Sequence, residues 1–160
     1  NKKNKVTIAV ALDNSFNFYY DDNLNALKRE GASLTFFSPI KNKKIPKCDG
    51  LYIGGGFPEI LGNDLSKNQI MKKSIKKLSE DNFPIYAECG GLMYLTKSIT
   101  NNEKKYKMTI FKSHCGGLRY FRVLACRRFH KQISRFCASR GWRRHQPATG
   151  VRSHCQDSWQ

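Results

Sequence analysis

The sequence predicts an α/β fold in which a parallel β-sheet is flanked by helices. Four short apolar segments alternate with helical stretches between residues 5 and 95, and this alternation is typical of βαβ units. Two of the segments run into small-residue turns, one at residues 54–56 and one around Cys89. Right-handed crossovers bring the carboxyl ends of parallel strands to one edge of the sheet, where ligands usually bind.

The four predicted strands are short runs rich in β-branched and aromatic residues, a composition that favours strands. They comprise residues 5–11, 33–37, 49–53 and 83–87. A first helix is predicted between the first two strands, because Tyr20, Leu24 and Leu27 recur at helical spacing. Asp21 or Asp22 would cap its start, and the glycine at position 31 would end it in the C′ position.

A second, longer helix is predicted from Asp64, acting as the N-cap, to about Leu78. Met71, Ile75 and Leu78 define its apolar face. The opposite face carries lysines at positions 67, 72, 73, 76 and 77, and we interpret it as a solvated face. Residues 92–95 begin a further helix directly after the fourth strand.

Cys89 has the setting of a nucleophile elbow, a sharp turn between a strand and a helix that holds a reactive side chain clear of the sheet. Such a turn needs small residues two positions either side of the nucleophile, and Ala87 and Gly91 meet that requirement. The start of the following helix would stabilise a thiolate. The backbone N–H of Gly90 would be one oxyanion donor. Glu88 is either a base or a residue that serves turn geometry or a salt bridge.

A second oxyanion donor is expected from the triple glycine at residues 54–56, with Gly54 and Gly55 forming the substrate loop. Triple glycines also occur in ordinary loops, and this one lacks the Gly-Lys-Ser/Thr of a phosphate-binding loop. The competing interpretation of Cys89 is a small buried apolar residue, as most lone cysteines in cytosolic proteins are. Spacing alone leaves these two interpretations of Cys89 nearly even.

Three segments carry a resemblance to one enzyme family. Residues 83–95, Phe-Pro-Ile-Tyr-Ala-Glu-Cys-Gly-Gly-Leu-Met-Tyr-Leu, closely resemble the active-site segment of cobyrinic acid a,c-diamide synthases. Residues 49–59, Asp-Gly-Leu-Tyr-Ile-Gly-Gly-Gly-Phe-Pro-Glu, resemble their glycine-rich loop, and residues 6–11 with 16–24 resemble the opening of the same domain. The resemblance covers residues 5–110 in order and spacing, and the three motifs together separate this group from other class I glutamine amidotransferases.

The resemblance implies a class I glutamine amidotransferase fold, which is flavodoxin-like, in truncated form. Cys89 would attack the carboxamide of glutamine, form a γ-glutamyl thioester and release ammonia, with Gly90, Gly54 and Gly55 around it. An N-terminal synthetase domain, which this chain lacks, would use ATP and Mg²⁺ to activate the a and c carboxylates of a tetrapyrrole. No cofactor or metal is therefore expected in this chain. The tetrapyrrole would be either cobyrinate, in cobalamin biosynthesis, or nickel-sirohydrochlorin, in the coenzyme F430 pathway. The resemblance does not distinguish between these two substrates.

The family also places a catalytic histidine late in the domain, in a Gly-His-Glu-aromatic-His type of segment. The four histidines of this chain lie in other contexts, so we do not assign that role to any of them. They are His114, His130, His145 and His154. Without a base the thiolate could still form, but turnover would fall severely.

A change of composition predicts a domain boundary at residue 110. Residues 1–110 hold 17 Lys, 1 Arg and 11 acids, whereas residues 111–160 hold 2 Lys, 9 Arg and 1 acid. The net charges of +7 and +10 sum to the formal +17 of the chain. We predict an incomplete amidotransferase domain at residues 1–110 and an irregular, basic, Arg- and Cys-rich tail at residues 111–160.

Several hypotheses explain that tail. A reading-frame shift or a foreign join is the simplest, and a disordered or poorly packed segment is the plainest structural view. Arg residues interleaved with aromatics would also suit nucleic acid, although we expect no nucleic-acid partner for the chain as a whole. The alternative of another class is an inactive fragment with such a nucleic-acid-binding tail. Zinc is disfavoured because the tail's four cysteines contain no Cys-x-x-Cys pair.

The chain carries no apolar run approaching the ~20 residues of a membrane span and no signal-peptide pattern at its start. It does not begin with Met, which indicates an excerpt from a longer protein. These features predict a cytoplasmic protein with no membrane partner, and the resemblance implies glutamine as its substrate.

Overall fold

The computed structural model describes residues 6–81 and 83–109. Four strands form one parallel sheet in the order β2-β1-β3-β4. They are β1 Val6–Ala11, β2 Ala32–Phe37, β3 Gly50–Ile53 and β4 Ile85–Ala87. The helices are α1 Asp21–Arg29, α2 Gly62–Lys67, α3 Gln69–Glu80 and α4 Gly90–Leu95. A hairpin of β5 Ser98–Asn101 and β6 Lys104–Lys107 follows α4. The predicted fold class, a parallel sheet flanked by helices, is confirmed.

The two faces of the sheet bury different sets of side chains, because successive residues of a strand point to opposite faces. On one face, Ile8 and Val10 of β1 pack with Tyr52 of β3 and Leu27 of α1. On the other face lies the larger cluster, to which α2, α3, α4 and the hairpin contribute. Its members include Ala9, Ala11, Leu51, Ile53, Leu65, Met71, Ile75, Tyr94, Leu95 and Ile99. Both faces of the sheet are therefore covered, as parallel sheets require.

The start of α1 differs from the predicted capping. Tyr20 occupies the N-cap position and its side chain makes no capping hydrogen bond, while Asp21 and Asp22 lie in the first turn. Acidic residues there favour the helix through its partial positive charge. The predicted end is confirmed, because Gly31 follows the C-cap residue with a φ of 92°, a conformation that glycine adopts without strain.

The predicted helix from Asp64 to Leu78 is wrong in two respects. Asp64 is not the N-cap, because α2 begins earlier and Asp64 lies in its first turn. The chain also breaks the helix at Asn68 into α2 and α3. The Asn68 side-chain oxygen accepts a hydrogen bond from the Met71 backbone N–H at 3.2 Å and so caps α3. Its amide nitrogen donates to the backbone carbonyls of Pro39, Ile40 and Asn42. A tertiary contact with the β2–β3 connection thus holds the break, and helical periodicity alone does not show it.

Lys72 is an exception to the predicted solvated lysine face. Its side chain is buried, with 5% exposure, and its Nζ donates to the Lys107 backbone carbonyl in β6 at 2.9 Å. Burial, aided by the charge of Lys107, lowers the pKa of Lys72. Lys67, Lys73 and Lys77 are exposed, so the rest of that face is broadly solvated as predicted. Lys72 instead ties α3 to a hairpin that the sequence reasoning did not predict.

The predictions for the tail at residues 111–160, including its four histidines and four cysteines, lie outside the described residues. Within the described ranges, no helix combines the length and the apolar content that crossing a membrane requires.

Candidate active site

The carboxyl ends of β3 and β4 lie side by side, since Ile53 and Ala87 are partners in the parallel register. The residue after β4, Glu88, donates its backbone N–H to the Ile53 carbonyl at 3.1 Å. The Gly91 N–H donates both to the Gly54 carbonyl at 2.9 Å and to the Glu88 carbonyl at 2.8 Å. These bonds join the Cys89 turn to the glycine-rich loop, so the structure brings the two predicted site segments together.

Cys89 stands in a strained backbone conformation at the tip of this turn. Its φ is 48° and its ψ is −117°, values close to the second position of a type II′ turn, where glycine dominates. For a residue with a side chain such a conformation costs about 1–3 kcal/mol and persists only where the surroundings over-determine it. The side chain is exposed, and α4 begins at the next residue. The buried apolar interpretation of Cys89 therefore does not fit the structure.

The two glycines after Cys89 are required because the turn passes close to the neighbouring backbone. A Cβ on Gly91 would lie 2.2 Å from the Ile53 carbonyl oxygen, and one on Gly90 would lie 2.8 Å from the Gly56 carbonyl oxygen. Both distances are shorter than real Cβ contacts allow. α4 itself has six residues, so its contribution at Cys89 comes from the first-turn amides rather than from a long helix dipole.

The backbone of the glycine-rich loop is largely engaged by the segment that follows β1. The Gly54 N–H donates to Tyr19 Oη at 2.8 Å, and Tyr19 Oη in turn donates to the Ala11 carbonyl. Gly55 forms an antiparallel bridge with Phe18. The Gly90 N–H, by contrast, has no hydrogen-bond acceptor among residues 6–81 and 83–109. Of the predicted oxyanion donors, Gly54 has its N–H bonded to Tyr19, whereas the Gly90 N–H is open to a ligand.

Three tyrosines and Glu88 form a network under the turn that the sequence reasoning missed. Tyr52 Oη donates to Glu88 Oε1 at 2.5 Å, and Tyr86 Oη donates to Glu88 Oε2 at 3.2 Å. The Tyr52 ring packs edge-on against those of Tyr19 and Tyr86, with centroids 5.2 and 5.1 Å apart. Burial raises the pKa of Tyr52, and the adjacent Glu88 carboxylate raises it further. Burial likewise raises the pKa of Tyr19.

The signal for this network was present in the sequence. Tyr52 and Tyr86 occupy the same place in their strands, one residue before the last, and they are register partners in adjacent strands. Parallel strands in register place such residues on one face of the sheet. The glutamate that follows β4 then lies within reach of both hydroxyls.

Two other features of the described residues lie apart from this turn. A cavity of about 320 Å³ is lined by Ile40, Lys41, Lys43, Asp64, Lys67 and Asn68, and it includes neither Cys89 nor the glycine-rich loop. No group of three or more His, Cys, Asp or Glu side chains in residues 6–81 and 83–109 is placed to hold a metal ion.

Comparison with known families identifies the domain. The sequence model of the CobB/CobQ-like glutamine amidotransferase domain matches residues 7–150, most of the 160-residue chain. The chain belongs to that family. The match runs past residue 110, so the predicted domain boundary lies inside it, and it includes most of the segment in which the sequence showed no recognisable pattern. The boundary itself stays a prediction.

Several curated relatives are named cobyrinate a,c-diamide synthase. The chain is 58% identical to the protein of Methanosphaera stadtmanae over 97 residues, which are 61% of this chain and 21% of that protein. It is 50% identical to the Picrophilus torridus protein over 105 residues, covering 66% and 24% of the two chains. It is 50% identical to the Listeria innocua protein over 101 residues, which are 63% of this chain and 22% of that protein. The matched part of this chain thus spans about a quarter or less of each relative's length.

Proposed function

We propose that this chain is the glutaminase part of an ATP-dependent a,c-diamide synthase, with Cys89 as the nucleophile. The observation that carries the proposal is the exposed Cys89 held at φ 48° and ψ −117° between β4 and α4. Strained backbone of this kind is concentrated at functional sites. Membership of the amidotransferase family supplies the substrate, glutamine.

In the proposed reaction the Cys89 thiolate attacks the carboxamide carbon of glutamine. The carbonyl oxygen becomes an oxyanion, to which the Gly90 N–H is the first donor. Collapse of this intermediate breaks the C–N bond, releases ammonia once the nitrogen has gained a proton, and leaves a γ-glutamyl thioester on Cys89. Water then hydrolyses the thioester to glutamate and regenerates the thiol. The Gly54 N–H is bonded to Tyr19 Oη, so in this scheme it shapes the loop. It can donate to the oxyanion only after its hydrogen bond to Tyr19 breaks.

The ammonia would amidate the a and c carboxylates of a tetrapyrrole in a synthetase domain outside this chain. The names of the curated relatives favour cobyrinate as that substrate. ATP and Mg²⁺ are assigned to the same outside domain. The triple-glycine loop here does not fit a phosphate cradle, because the Gly54 N–H is already bonded to Tyr19 Oη and no Gly-Lys-Ser/Thr follows. Offering the full synthase either cobyrinate or nickel-sirohydrochlorin tests which tetrapyrrole is amidated.

The glutaminase proposal is tested by measuring glutamate release from glutamine with the full chain and two matched variants. Cys48 is the control, because it is the other cysteine among the described residues and burial raises the pKa of its thiol. We expect Cys89→Ser to abolish glutamate release and Cys48→Ser to retain it. Glutamate release by Cys89→Ser at the rate of the unmodified chain would overturn the proposal.

A further inference from the structure

We infer that Glu88 is a positioning residue, whose carboxylate, held by the hydroxyls of Tyr52 and Tyr86, keeps Cys89 and the Gly90 amide in the reactive turn. This inference rests on the proposed function and assigns Glu88 a role other than that of a base. The carboxylate accepts from Tyr52 at 2.5 Å and from Tyr86 at 3.2 Å, so each of its oxygens has a tyrosine partner.

The backbone of Glu88 is fixed at both ends as well as through its side chain. Its N–H donates to the Ile53 carbonyl at 3.1 Å, and its own carbonyl accepts from the Gly91 N–H at 2.8 Å. Cys89 follows directly and lies inside the turn that the Gly91 N–H closes onto the Glu88 carbonyl. Four hydrogen bonds therefore fix the orientation of Glu88, directly before the residue with the strained φ.

Tyr52 is itself held in place by burial, which makes it a suitable anchor. Tyr52 is 1% exposed within the cluster that packs against α1, and its ring contacts both Tyr19 and Tyr86 edge-on. A short hydrogen bond from a hydroxyl to a carboxylate is among the stronger kinds in proteins. Because Tyr19 also holds the Gly54 amide, one aromatic layer positions the Cys89 turn and the glycine-rich loop together.

The variants Glu88→Gln and Glu88→Ala separate positioning from proton transfer. A glutamine side chain retains both contacts, since its oxygen accepts from Tyr52 and its amide donates to the hydroxyl oxygen of Tyr86. It carries no charge and cannot act as a base. We expect Glu88→Gln to keep most of the kcat for glutamine hydrolysis, whereas Glu88→Ala lowers kcat about 100-fold with little change in KM.

Tyr52→Phe is a second variant that leaves Glu88 in place and deletes the shorter of the two hydrogen bonds. We expect it to lower kcat about 10-fold, a smaller loss than that of Glu88→Ala. Tyr106→Phe is the matched control, because Tyr106 is half-buried in β6 and outside this network. Thermal unfolding of every variant shows whether the fold is retained, and Tyr52→Phe carries the test where Glu88→Ala does not fold.

A second readout needs no turnover and so stands apart from the proposed function. The rate at which iodoacetamide alkylates Cys89, followed by peptide mass spectrometry, reports the setting of the thiol. We expect that rate to change in Glu88→Ala and Tyr52→Phe and to stay unchanged in Glu88→Gln and Tyr106→Phe. Failure of glutamine hydrolysis in the unmodified chain would overturn the proposed function, while this pattern of alkylation would still support the positioning role.

Two results would overturn the inference about Glu88. One is a Glu88→Gln variant as impaired in kcat as Glu88→Ala, which would assign proton transfer to the carboxylate. The other is a folded Glu88→Ala variant, or a folded Tyr52→Phe variant, with unchanged kcat and an unchanged rate of Cys89 alkylation.

Discussion

The Cys89 turn and the turn of the β5–β6 hairpin both place a residue with a side chain at positive φ. The values are 48° at Cys89, 46° at Asn102 and 63° at Glu103. In the hairpin, Asn102 and Glu103 are the two loop residues between register partners Asn101 and Lys104. A two-residue hairpin loop of type I′ needs positive φ at both positions, so the local register alone explains this turn.

At Cys89 the explanation is tertiary. The turn is held by the end of β3 through Ile53, by the glycine-rich loop through Gly54, and by the tyrosines beneath Glu88. Positive φ in the hairpin lies at two exposed residues, where a change of residue alters only the turn. Positive φ at Cys89 is imposed by surroundings that would have to move for the strain to relax. The difference in what holds them indicates that the Cys89 turn, and not the hairpin turn, is built to present a particular side chain.

Cys89→Gly is expected to separate function from stability most sharply. Glycine adopts the conformation at position 89 freely, so we expect the free energy of unfolding to rise by about 1–2 kcal/mol. Glutamine hydrolysis should fall by more than about 1,000-fold because the nucleophile is gone. Chemical denaturation and glutamate release measure the two effects. A less stable Cys89→Gly variant would show that the turn is not strained.

A loss of stability at high pH is predicted by three tyrosines, two in the network around Glu88 and Tyr94 outside it. Burial raises the pKa of Tyr19, Tyr52 and Tyr94 above the ordinary value of 10. Above pH 10 the unfolded chain therefore releases protons that the folded chain keeps, and folding stability falls as pH rises. Each such tyrosine contributes up to about 1.4 kcal/mol per pH unit.

The check is urea denaturation at a series of pH values from 8 upward, on the order of half-unit steps, comparing the unmodified chain with Tyr52→Phe. The variant should lose stability less steeply above pH 10, since it has one fewer buried hydroxyl. Equal slopes for the two proteins would contradict the assignment of Tyr52 to this effect.

Gly91→Ala tests the close approach beside Cys89. The added Cβ would lie 2.2 Å from the Ile53 carbonyl oxygen, and we expect a loss of about 3 kcal/mol in the free energy of unfolding. Gly31→Ala is the matched control, because it also changes a glycine but meets no atom within 4 Å. Its positive φ alone should cost about 1 kcal/mol. Similar losses at both positions would argue against tight packing at the Cys89 turn.

Glu103→Gly should have the smallest effect and the opposite sign. It creates the Asn-Gly pair that type I′ hairpin turns favour, and we expect a gain of about 0.5–1 kcal/mol. Glutamine hydrolysis should be unchanged, as the hairpin turn contributes nothing to the Cys89 turn. Thermal unfolding together with the glutaminase assay checks both expectations, and a loss of stability would contradict the local account of this turn.

Much of the parallel sheet could be predicted from the sequence because its strands are short runs rich in apolar residues and glycines follow the ends of β3 and β4. The proximity of Cys89 to the glycine-rich loop followed from parallel topology alone. Features that depend on partners distant in sequence could not be predicted. The break at Asn68 depends on the carbonyls of residues 39, 40 and 42, and the burial of Lys72 depends on Lys107. The sequence alone could not decide whether Glu88 is a base or serves the turn, because its tyrosine partners lie in β3 and β4.

The central claim is that Cys89 is the nucleophile toward glutamine, and covalent capture tests it most directly. The full chain is treated with a diazoketone analogue of glutamine, with and without excess glutamine, and every cysteine-containing peptide is examined by mass spectrometry. The account predicts a label on Cys89 that glutamine suppresses, retained in Cys48→Ser and lost in Cys89→Ser. A label on any of the other five cysteines instead, or no glutamine-sensitive label at all, would contradict it.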